Sequence, residues 1–179
     1  GDGDDNVAIG LNAGQNAGDS NNCVFVGSKA GGVGVVAGDG NIAIGYLSGY
    51  VLTTGDENTA IGTQALTALT TGNYNVAVGN QALEANVTGG DNTVIGWRAG
   101  QDYVGGRMTA IGYSAGGGVV ANMGDGGFYG GARAGFKALG HSNVALGQDS
   151  MYYQSGTNNI AIGNQAMYGN TSTTDGDHN

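Results

Sequence analysis

Gly72-Asn73-Tyr74-Asn75-Val76-Ala77-Val78-Gly79-Asn80-Gln81-Ala82-Leu83 decides the fold, because close copies of it recur throughout the 179 residues. With the glycine of position 79 as anchor, the copies fall at Gly10, Gly27, Gly45, Gly62, Gly79, Gly96, Gly112, Gly131, Gly147 and Gly163. Nine gaps of 16 to 19 residues span 153 residues, a mean of 17. A period this short specifies a solenoid of strand-and-turn coils rather than a globular core. Residues 1–179 read as a single repeat array of about ten coils, an all-β parallel β-solenoid.

Within each copy, the residue one before the anchor is Ile, Val or Leu in nine of ten cases, and the residue three before it is Val, Ile, Thr or Phe in all ten. Side chains alternate along a strand, so these two share a face. The residue between them is alanine in seven copies: Ala8, Ala43, Ala60, Ala77, Ala110, Ala145 and Ala161. The expectation is that the branched face fills a core and the alanine face lets another backbone approach. Four before the anchor stands asparagine in seven copies: Asn6, Asn41, Asn58, Asn75, Asn92, Asn143 and Asn159. Stacked at the strand spacing of about 4.8 Å, these amides are expected to bond one to the next in a ladder. Seven before the anchor, glycine appears in nine copies, with Ser20 the exception. Gly followed by Asp or Asn there reads as turn chemistry supplying positive φ. In the eighth copy Gly130 replaces the branched residue, which predicts a bulge or a loosened coil.

The composition agrees with a repeat array and excludes several classes. Glycine supplies 39 residues and proline none, so a collagen triple helix is ruled out. The formal charge of −9 leaves little to neutralise phosphates, which argues against nucleic acid as a partner. No apolar run approaches the roughly 20 residues of a membrane span, so this segment is not expected to insert into a membrane. Cys23 is the lone cysteine, occupies a position that usually holds asparagine, and reads as a buried substitution rather than a nucleophile. The chain opens directly on a copy at Gly3, and Gly176-Asp177-His178-Asn179 begins an eleventh copy that stops, so a slice of a longer fibre is expected. A left-handed hexapeptide β-helix of the acyltransferase type is the rival solenoid. It needs an aliphatic residue every sixth position, where this chain has Gln15, Gly32, Tyr50, Thr67, Glu84, Gln101, Gly117, Phe136, Tyr152 and Tyr168.

The motif G-x-x-N-[VIT]-A-[IV]-G-x-x-A-[LMG] resembles the head repeats of trimeric autotransporter adhesins, the YadA-like left-handed β-roll. It is most similar to the repeat arrays of phage tail fibre proteins. The resemblance covers the whole chain, and its departure is in period, since adhesin heads use shorter coils. It implies a homotrimeric fibre of parallel left-handed β-rolls, located in a virion tail fibre or on a cell surface. It also implies a structural and adhesive role in host attachment through a host-surface glycan or an outer-membrane component. The alternatives are a bacterial trimeric adhesin head and, from a different class, a polysaccharide-degrading spike or hexapeptide acyltransferase. Three chains packed through their alanine faces would supply burial that one thin coil lacks.

No nucleophile elbow, P-loop, dinucleotide fingerprint or carboxylate dyad with a groove is present, so the chain reads as non-enzymatic, with no catalytic residues and no cofactor. Asp4, Asp5, Asp39, Asp56, Glu57, Asp91 and Asp125 flank the turn glycines, where a carboxylate edge could hold Ca²⁺. Without the nonapeptide repeat of calcium β-helices they read as solvated turns, and no metal site is expected. His141 and His178 stand singly, without metal-ligand spacing. Tyr46, Trp97 and Tyr113 follow their anchors directly, with Arg98 and Arg133 one place further on in their own copies. These five are the candidate glycan contacts, against the plainer reading of aromatic cover on a strand's outside.

Overall fold

The computed structural model describes residues 4–32, 36–118 and 125–169. Gly3, Gly124, His178 and the interrupted eleventh copy lie outside the described residues. Ten strands of three residues each form one parallel sheet in chain order: β1 (Val7–Ile9), β2 (Val24–Val26), β3 (Ile42–Ile44), β4 (Thr59–Ile61), β5 (Val76–Val78), β6 (Thr93–Ile95), β7 (Thr109–Ile111), β8 (Phe128–Gly130), β9 (Val144–Leu146) and β10 (Ile160–Ile162). Each strand pairs with the same three positions of the next coil, so the chain winds as a β-solenoid. At about 4.8 Å per strand the described stack is on the order of 48 Å long.

The bulge expected at Gly130 is not there. Ile111, Gly130 and Leu146 pair in unbroken register. Backbone pairing needs no side chain, and Leu146 Cδ2 leans into the vacated space, 2.8 Å from where a Gly130 Cβ would sit. The additional length of that interval falls around residues 119–124, outside the described residues.

The two faces of the strand are reversed from expectation. The middle residues from Phe25 to Ala161 are buried inside the chain's own coil, with Ala77, Ala110 and Ala145 at 0% exposure. The branched residues face out, with Ile44, Ile61, Ile95 and Ile111 between 36% and 45% exposed. The cause is the thinness of the coil. Across from the strand runs a turn whose third residue after the anchor is itself small and buried, as at Ala65, Ala82, Ala99 and Ala115. A small side chain fits between two such close walls, and the larger middle residues Phe25, Val94 and Tyr129 are admitted where the fourth residue after the anchor is glycine; the branched residues of the other face are left outside. Packing of separate chains through alanine faces is thereby corrected, since those alanines are already covered within one chain.

In part of the array interior volume is conserved by exchange between two positions of a coil. Beside a middle alanine, the fourth residue after the anchor is large and buried in Ala60 with Leu66, Ala77 with Leu83 and Ala145 with Met151, whereas Ala8, Ala43 and Ala110 are accompanied by Gly14, Gly49 and Gly116. Where the middle residue is aromatic, that position is glycine. A Cβ on Gly14 would lie 2.8 Å from the Phe25 ring, and the Cβ positions of Gly31 and Gly135 are occupied by the rings of Phe25 and Tyr129. The seventh coil uses Met108 instead, whose Sδ lies 2.8 Å from a Gly116 Cβ.

The asparagine ladder forms as expected. Asn58, Asn75 and Asn92 each donate from Nδ2 to the Oδ1 of the preceding asparagine at 3.1, 3.0 and 2.8 Å. Each also donates to a glycine carbonyl of the next coil: Asn58 to Gly72 and Asn75 to Gly89, both at 2.9 Å. Their Oδ1 atoms in turn accept the backbone N–H of the following coil, including Met108, where this run stops, at 2.8 Å, and the pattern resumes where Asn143 Oδ1 accepts the Asn159 N–H at 2.9 Å. Cys23 is fully buried in this column, and its sulfur accepts the Asn41 N–H at 3.4 Å where an amide oxygen otherwise would.

Among the described residues, the glycine seven before the anchor supplies the expected positive φ at Gly140 (φ 98) and Gly156 (φ 120), while Gly38, Gly55, Gly72, Gly89 and Gly105 lie outside that region and serve a different purpose. A Cβ on Gly55 would meet Asn58 Nδ2 at 3.0 Å and Leu52 Cδ1 at 3.1 Å, so the glycine gives the ladder amide access to the backbone. The left-handed conformation sits two residues later, at Glu57 (φ 53), Tyr74 (φ 59), Asp91 (φ 60) and Arg107 (φ 62). A second left-handed column lies two after the anchor and includes Gln81, Arg98, Ser114, Arg133 and Asp149. L-residues adopt this region at a cost, and here each is held by a bond to the neighbouring coil, as Arg98 N–H to Asn80 O at 2.9 Å.

Candidate functional site

Because register is constant, any position of the repeat becomes a column along the rod. The acidic turn column shows what this does to side chains. Asp39 Oδ1 accepts the Asn21 N–H at 2.7 Å, Asp56 Oδ1 accepts the Asp39 N–H at 2.9 Å, and Asn73 Oδ1 accepts the Asp56 N–H at 2.8 Å. These carboxylates bridge successive turns. Asp125 continues the column by accepting the Gly106 N–H at 3.1 Å, and it pairs with Arg107 at 2.8 Å. The Gly106 N–H first, and then the guanidinium of Arg107, hold its carboxyl below the usual carboxylate range. No group of three or more His, Cys, Asp or Glu side chains with metal-binding geometry occurs among the described residues.

The column just after the anchor carries the exposed aromatics. Trp97 and Tyr113 occupy consecutive coils with ring centroids 5.2 Å apart, and the Arg98 guanidinium lies 5.1 Å from the Trp97 ring centre. Arg133, one coil beyond, is fixed by Asp149 at 2.7 Å from Nε and 2.8 Å from Nη2. Four of the five candidate residues, Trp97, Arg98, Tyr113 and Arg133, therefore share one edge. Tyr46 does not join them: Thr63 and Asn80 hold its column in between, and it stands three coils away, roughly 14 Å.

The neighbouring column, five after the anchor, entered the sequence analysis only as a position that is not aliphatic and not as part of a site. Phe136 stacks on Tyr152 at 5.0 Å and 24°, and Tyr152 on Tyr168 at 5.1 Å and 13°. Tyr153 meets Tyr152 edge-on at 4.5 Å. Arg133 lies 5.7 Å from the Tyr152 ring centre and Lys137 Nζ 5.9 Å from that of Phe136. Burial, with Tyr153 beside it, pushes the Tyr152 hydroxyl above its ordinary value. These aromatics were visible in the sequence at one position of three successive copies, which is the signal for a stacked ladder.

The two columns meet at a cavity of about 260 Å³ bordered by Arg98, Gln101, Asp102, Tyr113, Arg133 and Phe136. Comparison with family models, curated proteins and solved structures found no match. The site is therefore read from its own geometry. It offers an aromatic surface, two guanidinium groups, one amide and one carboxylate along the rim of a stiff rod. No helix among the described residues is long and apolar enough to cross a membrane.

Proposed function

We propose that the chain is a non-enzymatic structural and adhesive fibre segment, the shaft or head of a phage tail fibre that takes part in host-surface attachment. In this reading it is a left-handed β-roll that works as a homotrimer, in the virion or at another extracellular surface. The observation that supports it best is the outward stripe of branched residues. Ile44, Ile61, Ile95, Ile111 and Ile162 sit one per coil on a single face, each at least 36% exposed, with Val78 and Leu146 in the same line. An apolar strip along a rod, broken only at Gly130 between Ile44 and Ile162, is far from the scattered exposure of an ordinary monomer surface. Three parallel rods around a common axis would cover all three strips and leave the polar turns and the aromatic edge facing outward.

The decisive experiment is the mass of the full chain in native solution, by sedimentation or native mass spectrometry. A trimer is expected, and the pair Ile61→Glu with Ile95→Glu should convert it to monomer without unwinding the coils. A monomer that remains folded at high concentration would overturn the fibre reading.

A further inference from the structure

We infer that the cavity beside Phe136 is a built site for one acidic sugar ring, a hexuronate unit of a glycan, inserted at the end of the aromatic stack beside Ser114 and Gly118. The column runs Gln101, Gly117, Phe136, Tyr152, Tyr168 through consecutive coils. Backbone bonds establish the equivalence. Lys137 N–H donates to Gly117 O at 2.9 Å as Tyr153 N–H donates to Phe136 O at 3.1 Å. At Gly117 the stack is interrupted, and the neighbouring position two after the anchor narrows to Ser114 between Arg98 and Arg133. Ser114 and Gly118 of the same coil line the cavity and leave it open between Gln101 on one side and Phe136 on the other.

The chemistry of its walls selects the occupant. Phe136 has one face stacked on Tyr152 and itself lines the cavity, which offers aromatic surface to the apolar side of a pyranose. Gln101 is oriented by its bond from Nε2 to Glu84 Oε2 at 2.8 Å, and Asp102 supplies an acceptor for sugar hydroxyls. Arg98 is steadied by its Nε donating to Gln81 Oε1 at 3.0 Å, which leaves its terminal nitrogens for a carboxylate. The chain has five cationic side chains against a net charge of −9, yet Arg98 and Arg133 line this cavity and Lys137 stands beside its aromatic floor. The volume of about 260 Å³ lies just below the usual small-molecule range of about 300–1,000 Å³, which suits a single ring rather than an extended chain.

This site deepens the adhesive reading and rests on it for its biological sense, but it is tested separately. The single tryptophan, Trp97, contacts the rim residue Tyr113, so its emission reports occupancy. Glucuronate and galacturonate would be titrated into the full chain alongside glucose, galactose and phenylacetate, with saturation-transfer NMR as a second readout. At least one uronate should bind in the millimolar range and at least tenfold tighter than its neutral counterpart or the aromatic acid. Arg98→Gln removes the charged partner and Phe136→Thr the aromatic floor, and each should weaken binding at least fivefold while keeping the trimer. Equal binding of neutral and acidic sugars, preference for phenylacetate, no binding at all, or unchanged binding in these variants would each overturn the proposal. A folded trimer that takes no uronate would overturn this site alone, and a monomer that binds uronate would overturn the fibre reading alone.

Discussion

Replacing Asn75 by alanine tests the ladder that ties successive coils together. The side chain is completely buried. Its Oδ1 accepts Asn92 N–H at 3.2 Å and Asn92 Nδ2 at 2.8 Å, while its Nδ2 donates to Asn58 Oδ1 at 3.0 Å and Gly89 O at 2.9 Å. After truncation Asn92 Nδ2 keeps Gly105 O, and Asn58 Oδ1 keeps the Asn75 N–H. The Asn92 N–H and the Gly89 carbonyl lose these partners. An unsatisfied buried group costs about 1–3 kcal/mol, so the variant should lose on the order of 4 kcal/mol. Asn73→Ala is the control, because Asn73 Oδ1 accepts only the Asp56 N–H, at a partly exposed turn where water can substitute. It should cost about 1 kcal/mol. Urea denaturation followed by circular dichroism gives both values, with a native-mass check that the assembly is the same. If the two substitutions cost the same, the amide ladder contributes no more than a surface turn and the reasoning fails.

Other substitutions probe the interior and the turns. Ala77→Phe alone should overpack the coil and cost about 1–3 kcal/mol, and adding Leu83→Gly should recover most of that by recreating the pairing of Phe25 with Gly31, measured as a double-mutant cycle. Gln81→Leu, on the outer turn, should be close to neutral in the same assay. Gly62→Ala should destabilise by about 2 kcal/mol or more, since φ is +133 and a Cβ there meets the carbonyl of Gly79; an unchanged melting temperature would contradict the close stacking of anchor glycines. Burial pushes the Tyr129 hydroxyl up to about 12, so the unfolded chain ionises first as pH rises. The share of stability from Tyr129, roughly 2–3 kcal/mol, should therefore be intact below pH 10 and lost between about pH 10 and 12; burial raises the Tyr103 hydroxyl as well and adds to the same fall, so Tyr129→Phe should lessen it rather than remove it.

Period, strand position and the asparagine ladder were all legible in the sequence, because each depends only on identical residues meeting at a fixed spacing. The direction of the strand's faces was not. Alternation between Val76, Ala77 and Val78 says that two faces differ, and hydrophobic bulk alone favours burying the valines. The deciding quantity is the distance to the opposite wall, which depends on how tightly Gly79 to Leu83 turn back. That tightness rests on left-handed residues such as Gln81 and Leu83, whose types do not advertise positive φ. The eighth copy was misjudged for a related reason: Gly130 looked like a defect, while the compensating pair of Tyr129 and Gly135 was hidden in two separate positions. At the candidate site, the grouping of Trp97, Arg98, Tyr113 and Arg133 followed from adjacent copies. The cavity beside Ser114, Gly118 and Phe136 needed the geometry, since small residues leave little trace in a list of chemical groups.

The strict chain-order winding of the sheet also sets how the molecule answers to force. Its first and last strands, β1 and β10, lie at opposite ends of the sheet, and the backbone bonds between coils run from one winding to the next, so tension applied between those ends would peel the stack one winding at a time. Each released winding frees about 17 residues, or on the order of 55 Å of slack by the reach of an extended chain. A tether built this way lengthens in even steps rather than snapping.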